Sequence, residues 1–411
     1  MTNTKKPNRK AILLINILIT APSFASITTQ NNLSAQTNNL HCDHYIRSAQ
    51  HLIDGQNMVV KAGETLCLEA GTRGPLRVRN MQGTATAPIT IRNQNGVVTF
   101  SPYEYSIAIE NSQWLRVTST PVEGESEYGL RLGGTLGVGG LSEQIEIDHL
   151  EIYRARFAGM LIKTDPTCDA NTWAENFSMT GLRIHNNYIH STESGEGMYI
   201  GYTGKSRNLV CDNALTTVFP HKIQDVHIFD NKLENIAADG IQLNSVQGNA
   251  FITNNTLYRT GVSPFDPHWQ NTGIQVGGDG VEVRDNLIYR SGGNGMMIDG
   301  DGIKVLNNHI IYAGENGIFA RNAAQQDSSI SNGLPHAYKG NLIVHPGSYA
   351  LKLYAVNTNS AHLIIENSIE NDGTLDSAGR PKTFSYLNDA VMRYELNNHH
   401  YVTQSAYQQA Q

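Results

Sequence analysis

The sequence predicts a right-handed parallel β-helix. Three observations carry the prediction: a repeat of about 22 residues, an asparagine column in step with it, and strand-like alternation with no helical period. "GMMID" at Gly295 returns 22 residues later as "GIFAR" at Gly317. The same Gly-apolar-x-apolar unit stands at Gly159, Gly197, Gly240 and Gly273, and at Ala350 with Ala in the Gly place. Upstream of these units run "NNYI", "DNKL", "NNTL", "DNLI", "NNHI", "GNLI" and "ENSI", whose second residues are Asn187, Asn231, Asn255, Asn286, Asn308, Asn341 and Asn367. A repeat of this length signals a solenoid. Short β-rich runs between Gly, Asn and Asp fit three strands and three turns per coil. Coils then stack at the interstrand spacing of about 4.8 Å, with the right hand usual for parallel crossovers.

In chain order, residues 1–25 read as an export signal: Lys5, Lys6, Arg9 and Lys10, a short apolar run over 11–19, and the small-residue site Ser23-Phe24-Ala25. Nine apolar residues do not span a bilayer, and no other stretch does. A secreted or periplasmic location with no membrane span is therefore expected. Residues 26–39 are polar and read as a flexible leader, 40–370 as the β-helix with an N-terminal cap, and 371–411 as an irregular C-terminal segment. The formal net charge is −7, and removing the four cations of the export signal takes it to −11. That balance argues against nucleic acid, which requires a basic face. A monomer is expected.

Four cysteines, Cys42, Cys67, Cys168 and Cys211, suit two disulfides in an oxidising compartment. Three pairings are formally possible. Cys168 and Cys211 follow the Gly-led strand in consecutive coils, which favours 168–211 and leaves 42–67 to pin the cap.

The asparagine column is read as a ladder of stacked amides at a turn. Along the Gly-led strand, alternation sends positions +1 and +3 inward and 0, +2 and +4 outward. Expected on the outer face are Leu161, Lys163, Tyr199, Gln242, Asn244, Gln275, Met297, Asp299, Phe319, Arg321, Lys352 and Tyr354. The glycines are expected to bare one stripe of that face, so that a ligand approaches the backbone. Insertions 201–222, 261–272 and 321–338 flank the same strand and would wall a binding surface. Amides and aromatics at coil spacing suit a polysaccharide: Gln242, Asn244, Gln275, Asn294 and Asp299 for hydroxyls, Phe319 and Trp269 for stacking.

Glu196 and Asp239 sit on neighbouring coils, their carboxyls about 5 Å apart. Such a pair shares a cation, with Ca2+ the candidate, or has one pKa raised, or serves retaining glycoside hydrolysis. Arg321 and Lys352 are candidates for neutralising a substrate carboxylate, which acidifies the adjacent C–H for elimination or epimerisation. His268, with Asp266 two residues before it and Tyr199, are proton-transfer candidates. Glu196 and Lys352 are five coils apart, about 24 Å, so cation binding and chemistry need not share one centre.

On the entry segment "VKAGETLCLEAGTRGPLRVRNMQGTATAPITIRNQNG", the asparagine column and the coils, the chain resembles secreted β-helix proteins of the pectate-lyase-like superfamily over roughly residues 50–370. The resemblance implies a lyase, epimerase or hydrolase on an acidic polysaccharide, or a surface protein. Phe265-Asp266-Pro267-His268 is similar to the Asp-Pro-His element of mannuronan C5-epimerases, which implies catalytic roles for Asp266 and His268. Ser263 stands where those enzymes carry Tyr, and the Glu-x-Glu of Ca2+-dependent lyases is absent. The reading is a lyase or C5-epimerase-like enzyme on a uronate polysaccharide, with a glycoside hydrolase or a non-catalytic glycan-binding protein as alternatives.

Overall fold

The computed structural model describes residues 41–321, 333–356 and 358–402. These form a right-handed parallel β-helix. The export signal, the leader and most of the 321–338 insertion lie outside the described residues. Each regular coil contributes a Gly-led strand to sheet 1, a second strand to sheet 2 and a third to sheet 3. In one coil these are Met198–Ile200, Lys222–Phe229 and Lys232–Glu234. Sheet 3 alone stacks twelve strands. In the central coils sheets 1 and 2 merge into single bent strands, Ile241–Thr253 and Ile274–Arg284.

Register holds from coil to coil, so Met160 lies on Met198, Met198 on Ile241 and Ile241 on Ile274. The inward positions are therefore fully buried stacks of Met, Ile, Leu and Val. That continuous apolar interior is the main source of stability.

The corner between sheets 2 and 3 explains the repeated x-Asn pair. Its first residue adopts a left-handed conformation: Asn186, Asp230, Asn254, Asp285, Asn307, Gly340 and Glu366 (Gly340 at φ 68°). Asn, Asp and Gly tolerate that region best. Its second residue builds the ladder. Asn187 Nδ2 donates to Asn231 Oδ1 at 3.0 Å, and the pattern repeats through Asn255, Asn286, Asn308, Asn341 and Asn367. It runs on to Asn398 at 2.9 Å. Asn255→Ala removes the acceptor for both the Asn231 backbone N–H and its Nδ2. Stability should fall by about 2–5 kcal/mol. Urea midpoints would show this, and a loss below about 1 kcal/mol would argue against an energetic role for the ladder.

Both expected disulfides are present, Cys42–Cys67 and Cys168–Cys211, with Cα atoms 5.7 and 5.5 Å apart. The second ties the segment after Lys163 to an antiparallel hairpin, Arg207–Cys211 with Ala214–Val218. Parallel pairing continues past residue 370, where Phe384–Tyr386, Arg393–Leu396 and His399–Val402 each pair with the coil before. No helix among the described residues is long and apolar enough to cross a membrane.

Candidate active site

Positions +2 of the Gly-led strands make one column on the outer face of sheet 1. It runs Arg77, Ala108, Gly137, Leu161, Tyr199, Gln242, Gln275, Met297, Phe319, Lys352.

Two expectations about this face need correction. First, the glycines do not bare it to a ligand. A Cβ on Gly159 or Gly197 would lie 2.5 Å from the Ile189 or Leu233 side chain and within 2.7 Å of the next glycine's carbonyl oxygen. Leu257, Ile288, Ile310 and Ile343 fill the same place against the later glycines. The column is glycine because the coil corner closes tightly on sheet 3 aliphatics. Second, the middle of the face is not solvent-facing. Gln242, Asn244, Gln275, Met297 and Asp299 are all buried, 1–3% exposed. The insertion 201–222 covers part of it: Gln242 Nε2 donates to Thr203 Oγ1 at 2.7 Å, and Ser245 Oγ donates to the Tyr202 carbonyl at 2.7 Å.

Arg321 is already neutralised. Its guanidinium pairs bidentately with Asp299, one bond being 2.8 Å, and Trp269 stacks 4.6 Å from it. Gln275 Nε2 donates to the same Asp299 carboxylate at 3.2 Å. The expectation of Arg321 as a cation awaiting a substrate carboxylate is corrected accordingly. Lys352 sits 4.9 Å from both the Phe319 and Tyr354 rings, with no carboxylate partner among the described residues. It is five rungs from Tyr199, so the two do not meet. Asp266 Oδ1 accepts the His268 backbone N–H at 2.9 Å, which caps the loop turn. His268 is exposed at the rim. Asn294 accepts from Asn316 Nδ2 at 2.8 Å, making a second amide ladder where the chain enters sheet 1.

Glu196 and Asp239 occupy the same position in that second ladder, three and two coils before Asn294 respectively, where Asn would serve. Both are buried, and Glu196 Oε2 and Asp239 Oδ2 make no hydrogen bond among the described residues. Burial pushes Glu196 up to about 7, against the lowering pull of its own backbone N–H and of Lys163. Burial also raises Asp239 well above the usual carboxylate range. The Thr272 N–H, 2.6 Å from its Oδ1, opposes that rise, while Glu196 and Asp299 add to it. Unpartnered buried oxygens gather in the same coils: Gln242 Oε1, Asn271 Oδ1, Thr272 Oγ1 and Gln275 Oε1. An all-oxygen set with two carboxyls fits a hard cation such as Ca2+.

Lys163 is the neighbour that motif reading passed over as a site residue. Its ammonium lies 2.9 Å from Asp165 and 4.9 Å from the Tyr199 ring, and its charge reaches Glu196. The Tyr199 hydroxyl is 2.9 Å from Thr203 Oγ1. A second acidic group on sheet 2, Glu146, Asp148 and His185, is occupied by a protein cation: Arg116 binds Asp148 through two 2.8 Å hydrogen bonds.

The fold and this face define the class: the chain is a right-handed parallel β-helix protein. Residues 176–373 match the family model described as the right handed beta helix region. No curated protein matches the sequence. Among solved structures, an alginate lyase from Paenibacillus sp. is 14% identical, over 87% of this chain and 99% of that one, at a TM-score of 0.46. A PL6 family polysaccharide lyase from Pseudopedobacter saltans is 12% identical, over 88% and 95%, at 0.42. A GH136 lacto-N-biosidase from Eubacterium ramulus is 13% identical, over 88% and 68%, at 0.46.

Proposed function

We propose that this is an exported carbohydrate-active enzyme, a lyase or C5-epimerase on a uronate polysaccharide, with its centre at Lys163, Tyr199, Glu196 and Asp239. One observation carries the reading: two buried carboxyls with unpartnered oxygens stand on successive coils, with the Lys163–Tyr199 pair beside Glu196. Glu196 and Asp239 would hold Ca2+, which when bound neutralises a substrate carboxylate. Tyr199 and Lys163 are the proton-transfer pair. In elimination one takes the C5 proton, the C–H electrons form the C4–C5 double bond, and the departing glycosidic oxygen receives a proton from the other. Epimerisation returns the proton to the opposite face instead. His268 and Asp266, at the rim, are a second proton-transfer candidate.

A glycoside hydrolase is the second reading, favoured by the carboxyl near pH 7 on Glu196 one coil from Asp239. Absorbance at 235 nm and reducing ends, followed together on alginate, polygalacturonate, glycosaminoglycans and neutral glycans, separate the two. A lyase raises both signals and a hydrolase only the second. Lys163→Ala and Tyr199→Phe should each lower kcat/KM about 100-fold or more without moving Tm. Unchanged activity in both, with loss in His268→Ala, would move the centre to the rim.

A further inference from the structure

A cavity lies on the same face of sheet 1, toward the N-terminal side of Glu196. It measures about 650 Å³, within the range of small-ligand sites of about 300–1,000 Å³. Its floor is the column Arg77, Ala108, Gly137 and Leu161, on four successive coils, about 14 Å from end to end. Ala108 puts only a methyl on that floor, and the Tyr105 ring packs over Gly137, 2.7 Å from where a Cβ would sit. Lys163 and Asp165 close the end nearest Glu196.

The next residues of the column change character at once. Tyr199 is half-buried, and beyond it Gln242, Gln275 and Met297 are buried. Thr203 holds the Tyr199 hydroxyl and the Gln242 amide from one side of the groove, and the Arg321–Asp299 pair lies under Trp269 further on. The groove is thus open over the early coils and filled over the central ones. An extended polymer lying along sheet 1 has nowhere to continue past Tyr199.

We infer that this cleft takes the end of a glycan chain, so that the enzyme acts from chain ends and not at internal linkages. The inference rests on the function proposed above. The cleft binds the terminal sugars along Ala108, Gly137 and Leu161 and presents the linkage to Lys163 and Tyr199. The Thr203–Gln242 contact is the stop that sets how many units pass.

Product sizes test this directly, on sodium alginate and polygalacturonate with the full-length protein. End action predicts that the shortest product dominates from the first minutes while solution viscosity barely falls. An early ladder of mixed sizes with a rapid viscosity drop overturns end action and leaves the enzymatic reading standing. No cleavage of any panel glycan overturns end action, and no cleavage together with no C5 epimerisation (followed by solvent-deuterium exchange at C5) overturns both. Ala108→Trp, which fills the cleft from a surface position, should abolish turnover with Tm unchanged. Full turnover in that variant would place binding elsewhere and overturn the proposal. Thr203→Gly should add longer early products to the short ones, and unaltered product sizes would deny Thr203 the role of stop.

Discussion

Glu196→Gln and Asp239→Asn should each make the protein more stable at pH 8 and leave it without activity. The unfolded carboxyls ionise near their ordinary values, whereas the folded Glu196 does so near 7 and Asp239 well above its usual range. A raised folded pKa means that the stability linked to the proton is complete below about pH 4.5 and is lost as pH rises through about 7. For Glu196 the difference is about 3 kcal/mol at pH 8. Gln and Asn keep the shape and never ionise, so the variants should gain at pH 8 and nothing at pH 4. The two gains should not add, because each carboxyl raises the other's cost. A cation bound between them would remove the same penalty, so Ca2+ should raise Tm of the native protein and not of Asp239→Asn. Loss of kcat/KM by a factor of about 100 to 1,000 should accompany the gain. Stabilisation with full activity would make the pair a structural relic of the amide ladder.

Acid should unfold the protein through a different pair. His336 is fully enclosed, accepts the Ile303 N–H on Nδ1 at 3.1 Å and stacks 5.0 Å from His362. His362 Nδ1 accepts the His336 backbone N–H at 2.9 Å, and its Nε2 is hydrogen-bonded to the Ala355 carbonyl at 2.9 Å. Burial drives His336 down to about 3 and lowers His362. The neutral form is the folded one, so its stability is complete above about pH 6.5 and is lost as pH falls toward 3. The drop attributable to His336 approaches about 5 kcal/mol at the acid end. His336→Asn keeps an acceptor for Ile303 and should flatten the Tm profile between pH 6 and 4. An unchanged slope in that variant would remove His336 as its cause. With the carboxyl pair acting in the opposite sense, stability should peak between the two limbs.

Much of the fold was legible because its determinants are local. The x-Asn pair reports a left-handed residue followed by a ladder amide, and both properties belong to the residue types themselves. Inward alternation at Met160, Ile241 and Ile274 followed from period alone. The glycine column was misread because alternation assigns a face and says nothing of the corner, where Ile189 and Leu233 arrive from another sheet. Gln242 is covered by Thr203, some forty residues away in sequence, and no local pattern announces that contact. The cleft over Ala108 and Gly137 escaped notice because "GTLGVGG" lacks the Gly-apolar-x-apolar signature of later coils. Lys163 was placed on the outer face, but its approach to Glu196 follows only once coil register is known.

The coil register also constrains how such a groove can change. Between its ends at Asn187 and Asn398, every ladder asparagine bonds to an equivalent one above and below, so a whole coil can be added or lost with each amide finding a new partner of the same kind. A partial coil would break register in all three sheets together. The distance from the cleft mouth to the Thr203 stop is therefore adjustable only in whole rungs of about 4.8 Å. Ligand length preference among variants of this architecture should be discrete, stepping from one chain length to another with no intermediate.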